Sequence, residues 1–120
     1  SRGAQKIYFV ENDKRAVSTL KENLIHLSVE KNAKIISSSI ENCFEKIEVK
    51  KFDIFFLDPP FSKKEYLNDL KKIKEMKIYS KNHIVIIHRE NKSNENFSNI
   101  LEPILIKTYR RSKIIFGRFL

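Results

Sequence analysis

The stretch DIFFLDPPF at residues 53–61 joins a short apolar run to an acid, two prolines and an aromatic ring. Consecutive apolar residues of this kind are typical of a strand in a parallel sheet that helices cover on both faces. The first proline, Pro59, has a fixed φ angle and excludes Asp58 from the helical region. We therefore predict a buried strand over residues 53–57 that ends at a stiff turn carrying the Asp58 carboxylate.

The rest of the chain alternates between two hydrophobic periods. Short apolar runs predict strands at residues 6–10, 33–37, 53–57, 83–87, 104–109 and 113–119. Apolar residues three and four apart predict helices at residues 14–27, 41–47 and 64–77. In the last helix the residues expected to face inward are Leu67, Leu70, Ile73 and Met76. This order predicts an α/β fold with a mainly parallel sheet and an antiparallel C-terminal hairpin.

The bulk composition limits the class of protein. At 120 residues the chain is expected to form a single domain, residues 1–120. Its one cysteine cannot form an internal disulfide, and no apolar run is long enough to span a membrane, so we expect a cytoplasmic protein. Two glycines are too few for a Gly-rich dinucleotide fingerprint or a P-loop. No Cys/His cluster has metal-ligand spacing, so no metal site is predicted.

The charge balance favours a polyanionic partner. Lysine and arginine number 24 against 15 acidic residues, a formal net charge of +9, which points first to nucleic acid. The alternative is a lysine-rich composition that only fills solvated faces, since 18 of the 24 are lysines. The candidate phosphate ligands are Lys63, Lys64, Arg110, Arg111 and Lys113.

Asp58 and Pro59 suggest a specific chemistry. The Asp58 carboxylate and the Pro59 carbonyl can accept both hydrogens of a nucleobase amino group, while Pro60 stiffens the turn and Phe61 offers a face for stacking. The alternative is a simple turn, because Asp-Pro often begins one. His88 ends a strand and could face the same cleft, although a lone histidine is more often structural.

Glu11 is a second acid at the end of a predicted strand. A carboxylate in this position can accept the two ribose hydroxyls of a nucleoside, as it does in dinucleotide folds. The alternative is a surface carboxylate near a helix start, where the helix dipole favours negative charge. In open α/β sheets ligands bind beyond the carboxyl ends of the strands, where both Glu11 and Asp58 are predicted.

Three stretches together resemble a known family: SRGAQKIYFVENDKRAVSTLKENL at residues 1–24, DIFFLDPPF at 53–61 and IIFGRF at 114–119. The chain resembles the S-adenosylmethionine-dependent methyltransferases of the RsmD type. That resemblance implies a Rossmann-like class I methyltransferase sheet and methylation of a guanine N2 in 16S ribosomal RNA. It also implies S-adenosyl-L-methionine as cofactor, and ribosomal RNA or the assembling small ribosomal subunit as partner.

The resemblance also implies roles for individual residues. Glu11 matches the acid that holds the cofactor ribose, and Asn12 is expected beside the adenosine. Ser39 and Ile40 align with the pair that flanks the adenine. Residues 58–61 match the catalytic motif, which comprises Asp58, Pro59, Pro60 and Phe61.

The family pattern begins earlier than this sequence. Family members start with a strand and a Gly-rich loop, so the resemblance implies an amino-terminally truncated domain whose first strand and Gly-rich loop are missing. Residues 1–120 alone are then expected to lack part of the cofactor site, which a missing amino-terminal segment or a second chain would complete. Two other functions stay open: a DNA or RNA adenine amino-methyltransferase, and an inactive fragment that keeps the fold and a basic nucleic-acid-binding surface.

Overall fold

The chain forms two compact units, residues 1–48 and 49–120. The computed structural model describes residues 7–11, 14–26, 33–37, 51–59 and 66–120, with the backbone alone at Glu11, Lys14 and residues 33–37. The helix predicted at residues 41–47 lies outside the described residues. The single domain predicted over residues 1–120 stays a prediction.

The first unit is a strand-helix-strand arrangement. Its elements are β1 (Ile7–Glu11), α1 (Lys14–His26) and β2 (Ala33–Ser37). The two strands are parallel, and Glu11 pairs with Ser37 at their carboxyl ends. Val17 and Leu24 lie seven residues apart on one face of α1 and are both buried, as the apolar spacing predicts.

The second unit is a four-stranded mixed sheet with one helix. Its elements are β3 (Phe52–Leu57), α2 (Tyr66–Met76), β4 (Tyr79–Glu90), β5 (Leu101–Thr108) and β6 (Ser112–Phe119). The strand order is β3-β4-β6-β5, in which β3 and β4 are parallel and the other neighbours antiparallel. The antiparallel C-terminal hairpin predicted from the sequence is confirmed.

Helix α2 supplies one layer of the core. Tyr66, Leu70 and Ile73 are buried at intervals of four and three residues, which makes one apolar stripe. The prediction for Met76 is wrong, because its side chain is 45% exposed. Met76 is the last residue of α2, and Lys77 leaves the helix with a positive φ of 53°.

The two faces of β3 differ in burial. Phe55 is buried, whereas Ile54 and Phe56 on the opposite face are 62% and 64% exposed. The prediction of a strand covered on both faces is therefore wrong for this second face. An apolar pattern shows that a face favours burial, but it does not show whether a second layer is present to cover it.

Histidine 83 is a structural residue within β4. It is 5% exposed, and its Nε2 accepts the backbone N–H of Phe119 at 3.0 Å. The other nitrogen, Nδ1, donates to the carbonyl of Ser80 at 2.8 Å, and the ring stacks on that of Phe119. The main chain thus satisfies both ring nitrogens.

Gly117 marks a close approach between β6 and β5, and its replacement by alanine is expected to destabilise the protein. A Cβ atom there would lie 2.9 Å from both the Glu102 carbonyl oxygen and Leu101 Cδ2. Because the carbonyl belongs to a paired strand, it cannot move away freely, and overpacking of this kind costs about 1–3 kcal/mol. Urea unfolding measures the loss. In contrast, Ser112→Ala at the start of β6 should change stability by less than about 0.5 kcal/mol. Equal stabilities of the two variants would contradict this account.

Candidate functional site

Asp58 and Pro59 follow directly from the carboxyl end of β3. In the parallel register Ile54 pairs with Ile84 and Phe56 with Ile86. Asp58 comes two residues after Phe56, so its side chain is expected on the same face of the sheet as Ile54 and Phe56. The Asp58 side chain is 60% exposed. The sequence predicts that this strand ends at a carboxylate. In the structure Asp58 directly follows the last residue of β3.

His88 is the described partner of this carboxylate. Its Nδ1 lies 3.0 Å from Asp58 Oδ1, within hydrogen-bond distance, and its side chain is 31% exposed. The pairing follows from the register, because two residues beyond the Phe56–Ile86 pair come Asp58 on one strand and His88 on the other. Sequence reasoning placed His88 at a strand end but gave it no partner.

A buried ion pair lies on the other face of β4. Arg89 is 1% exposed, and its Nε donates to Glu95 Oε1 at 3.3 Å. The Tyr66 and Ser93 hydroxyls also donate to this carboxylate, and the guanidinium lies 4.6 Å above the Tyr66 ring. The cluster therefore joins α2, β4 and the loop at residues 91–100 directly behind His88.

Burial lowers the pKa of Arg89, and the neighbouring Glu90 carboxylate partly opposes this effect. The guanidinium stays charged at neutral pH, because arginine loses its proton only in strong base. A fully buried cation requires a paired anion, which Glu95 provides. Sequence reasoning missed this pair, since the polar stretch NKSNENFSN at residues 91–99 predicts only a loop.

The turn between β5 and β6 lies at the same edge of the sheet as Asp58. Glu90 at the carboxyl end of β4 pairs with Ser112, so the exposed Arg110 and Arg111 immediately precede this edge. Two strand spacings of about 4.8 Å separate β3 from β6, and a third leads to β5, so the turn lies across the sheet from Asp58. The structure therefore places the predicted phosphate ligands Arg110 and Arg111 at the same strand ends as Asp58.

Asn91 holds this turn in place. Its backbone N–H donates to the Arg111 carbonyl at 2.9 Å, and its side-chain amide donates to the Tyr109 carbonyl at 3.1 Å. Lys113, the third predicted ligand here, is half-buried, and its Nζ donates to the Ser93 carbonyl at 2.5 Å. This bond turns Lys113 towards the loop, so Arg110 and Arg111 are the exposed cations of the turn.

The predicted cofactor residues belong to the first unit. Glu11 is the last residue of β1 and pairs with Ser37, the last residue of β2, so the two parallel strands end at one edge. The other predicted site residues lie outside the described residues: Asn12, Ser39, Ile40, Pro60, Phe61, Lys63 and Lys64. Within the described residues no helix combines the length and apolar character that crossing a bilayer requires.

Solved structures share this fold at low sequence identity. A conserved hypothetical protein from Streptococcus pyogenes has a TM-score of 0.84 and 20% identity, over 97% of this chain and 72% of its own. A protein from Haemophilus influenzae, provisionally called a methylase, has a TM-score of 0.78 and 23% identity, over 97% of this chain and 73% of its own. One from Escherichia coli, provisionally called a methyltransferase, has a TM-score of 0.76 and 17% identity, over 99% of this chain and 65% of its own.

These neighbours show an α/β methyltransferase-like fold, as the sequence predicts. No curated protein matches the chain. A family model, in contrast, matches nearly its whole length. Since the model described as conserved hypothetical protein 95 covers residues 1–118, the chain belongs to that family.

Proposed function

We propose that the protein transfers a methyl group from S-adenosylmethionine to the exocyclic N2 of a guanine in small-subunit (16S) ribosomal RNA. The observation that carries this proposal is the exposed Asp58 carboxylate, which lies at the carboxyl end of β3, directly before Pro59, with His88 3.0 Å away. The methyltransferase-like fold and the family support the reaction type. The net charge of +9 supports a nucleic-acid substrate.

The Asp58 carboxylate and the Pro59 carbonyl would accept the two hydrogens of the guanine amino group. This grip turns the nitrogen lone pair out of the plane of the base and towards the methyl donor. Pro60 would stiffen the turn, and Phe61 would supply a face on which the flipped base stacks. Precise placement of the nucleophile contributes more here than strong base catalysis, because the leaving group is already a good one.

The strand ends of the first unit fit the proposed cofactor. The carboxyl ends of β1 and β2 lie side by side, because Glu11 pairs with Ser37. A carboxylate at this position suits the two ribose hydroxyls, and we assign Asn12, Ser39 and Ile40 to the adenosine. When bound, S-adenosylmethionine supplies an electrophilic methyl carbon on a sulfonium.

The basic turn supports RNA rather than a free nucleoside as substrate. Arg110 and Arg111 lie at the edge where Asp58 would hold the base, so they can contact backbone phosphates beside the flipped nucleotide. We assign Lys63 and Lys64 to the same polyanion, whereas Lys113 donates to the Ser93 carbonyl and is left out of this set. RNA can offer a base to Asp58 and phosphates to the basic residues at the same time, whereas a nucleoside has no phosphate.

Transfer assays with labelled S-adenosylmethionine test this function. We expect incorporation into 16S ribosomal RNA, either naked or in small-subunit particles, with N2-methylguanosine as the product after nuclease digestion and chromatography. N6-methyladenine in RNA or DNA would instead identify an adenine amino-methyltransferase. No incorporation into any of these substrates would overturn the proposal.

Variants at the turn separate RNA binding from chemistry. Arg110→Gln with Arg111→Gln should raise KM for RNA and reduce the slope of log K against log salt by about 2, because two phosphate contacts are lost. The matched control, Lys51→Gln with Lys81→Gln, removes the same charge from exposed positions at the opposite strand ends. An equal effect of the two pairs would show that net charge alone, rather than the turn, binds RNA.

A further inference from the structure

We infer that His88 is a positioning residue, which fixes the Asp58 carboxylate so that its second oxygen faces the substrate amine. The inference rests on the proposed function and deepens it, because it adds to the site a residue from the neighbouring strand. It is carried by the 3.0 Å contact between His88 Nδ1 and Asp58 Oδ1 and by the parallel register of β3 and β4.

The two strands differ in how firmly they hold their side chains. β4 pairs with β3 as far as Ile87 and with β6 as far as Glu90, so His88 projects from a strand that stays paired for two residues beyond it. Asp58 lies one residue beyond the end of β3, and 60% of its side chain is exposed. Within the described part of the chain, His88 is the residue that forms a hydrogen bond with this carboxylate.

The comparison with His83 argues against a purely structural role. Both histidines lie on β4, but His83 is 5% exposed and bonds only main-chain atoms, the Ser80 carbonyl and the Phe119 amide. His88 is 31% exposed and bonds a side-chain carboxylate just beyond the carboxyl end of β3, where the substrate is proposed to bind. The contacts of His83 are those of a structural core histidine, whereas those of His88 are not.

The hydrogen bond from His88 gives the two oxygens of the Asp58 carboxylate different roles. Nδ1–H donates to Oδ1, which leaves Oδ2 to accept a hydrogen of the amine. When the new N–CH₃ bond forms and the C–S bond breaks, the electron pair of that bond stays on sulfur. The extra proton on nitrogen then leaves to Asp58 or to water. A carboxylate already turned towards the amine needs no rearrangement at this point.

Kinetic variants test the role. His88→Ala should lower kcat about tenfold, the factor expected for one lost hydrogen bond, with KM for RNA within about twofold. His88→Asn, whose amide can donate from a similar position, should recover most of kcat. The control, His26→Ala in α1, removes an exposed histidine elsewhere and should change neither kcat nor KM.

Histidine NMR tests the pairing without any turnover. In Asp58→Asn the ring nitrogen chemical shifts of His88 should change, because the group that accepts from Nδ1 is altered, while the His83 signals stay in place. Unmoved His88 signals, or an unchanged kcat in His88→Ala, would overturn the inference. If the wild type transfers no methyl group but the His88 signals respond to Asp58→Asn, the positioning stands and the proposed reaction alone fails.

Discussion

Alanine in place of Asp58 should reduce methyl transfer to below about 1% of the wild-type rate, the range seen when an essential acceptor or oriented polar group is removed. Affinity for S-adenosylmethionine should stay within a few fold, because the proposed cofactor residues belong to the other unit of the chain. The fold should be unaffected, since the Asp58 side chain is 60% exposed. Single-turnover kinetics and calorimetry measure the two quantities separately.

Asp53 provides the matched control for this variant. It is an exposed aspartate on the same strand, but at the amino-terminal end, where it accepts a hydrogen bond from Ser80 Oγ at 2.6 Å. Asp53→Ala should retain most of the transfer rate. Near-normal turnover in Asp58→Ala would reject the proposed grip on the amine, whatever the fate of the control.

Removal of Glu95 should destabilise the fold by about 3–5 kcal/mol, because Glu95→Ala leaves the buried Arg89 guanidinium without its anion. The carboxylate also accepts hydrogen bonds from Tyr66 and Ser93, so these hydroxyls lose their partner at the same time. Urea unfolding at neutral pH measures the change. A loss of this size is a large fraction of the stability of a small domain.

The double variant Arg89→Met with Glu95→Leu shows whether the loss comes from an unpaired charge. It removes both charges and should recover much of the stability that Glu95→Ala loses, because apolar residues of similar volume can replace a buried ion pair. Glu75→Ala, at an exposed position of α2, should change stability by less than about 0.5 kcal/mol. If Glu95→Ala behaved like Glu75→Ala, the ion pair would contribute little to the fold.

Local patterns predicted the types of the elements that the structure describes and many of their bounds. The strand at residues 33–37 has the predicted limits, and α1 ends one residue earlier than predicted. β4 was predicted as five residues but has twelve, because its ends pair with both neighbours. Strand length depends on these partners, which lie far away in the sequence.

The candidate site shows the same division between local and distant information. The position of Asp58 follows from an apolar run that stops at Asp-Pro-Pro, which is a local signal. Its contact with His88 depends on the register of β3 and β4, two strands that α2 separates in the sequence. The burial of Glu95 depends on Arg89 and Tyr66, which belong to other elements.

The two bonds from Asn91 to the β5–β6 turn have a thermodynamic consequence. They fix the main chain around Arg110 before any polyanion arrives, so the loop has little backbone freedom left to lose. Much of the conformational entropy that ordering a recognition loop would cost on binding is therefore already lost during folding. Association through this turn then depends mainly on counterion release, and its strength should follow the ionic strength of the cell more closely than the temperature.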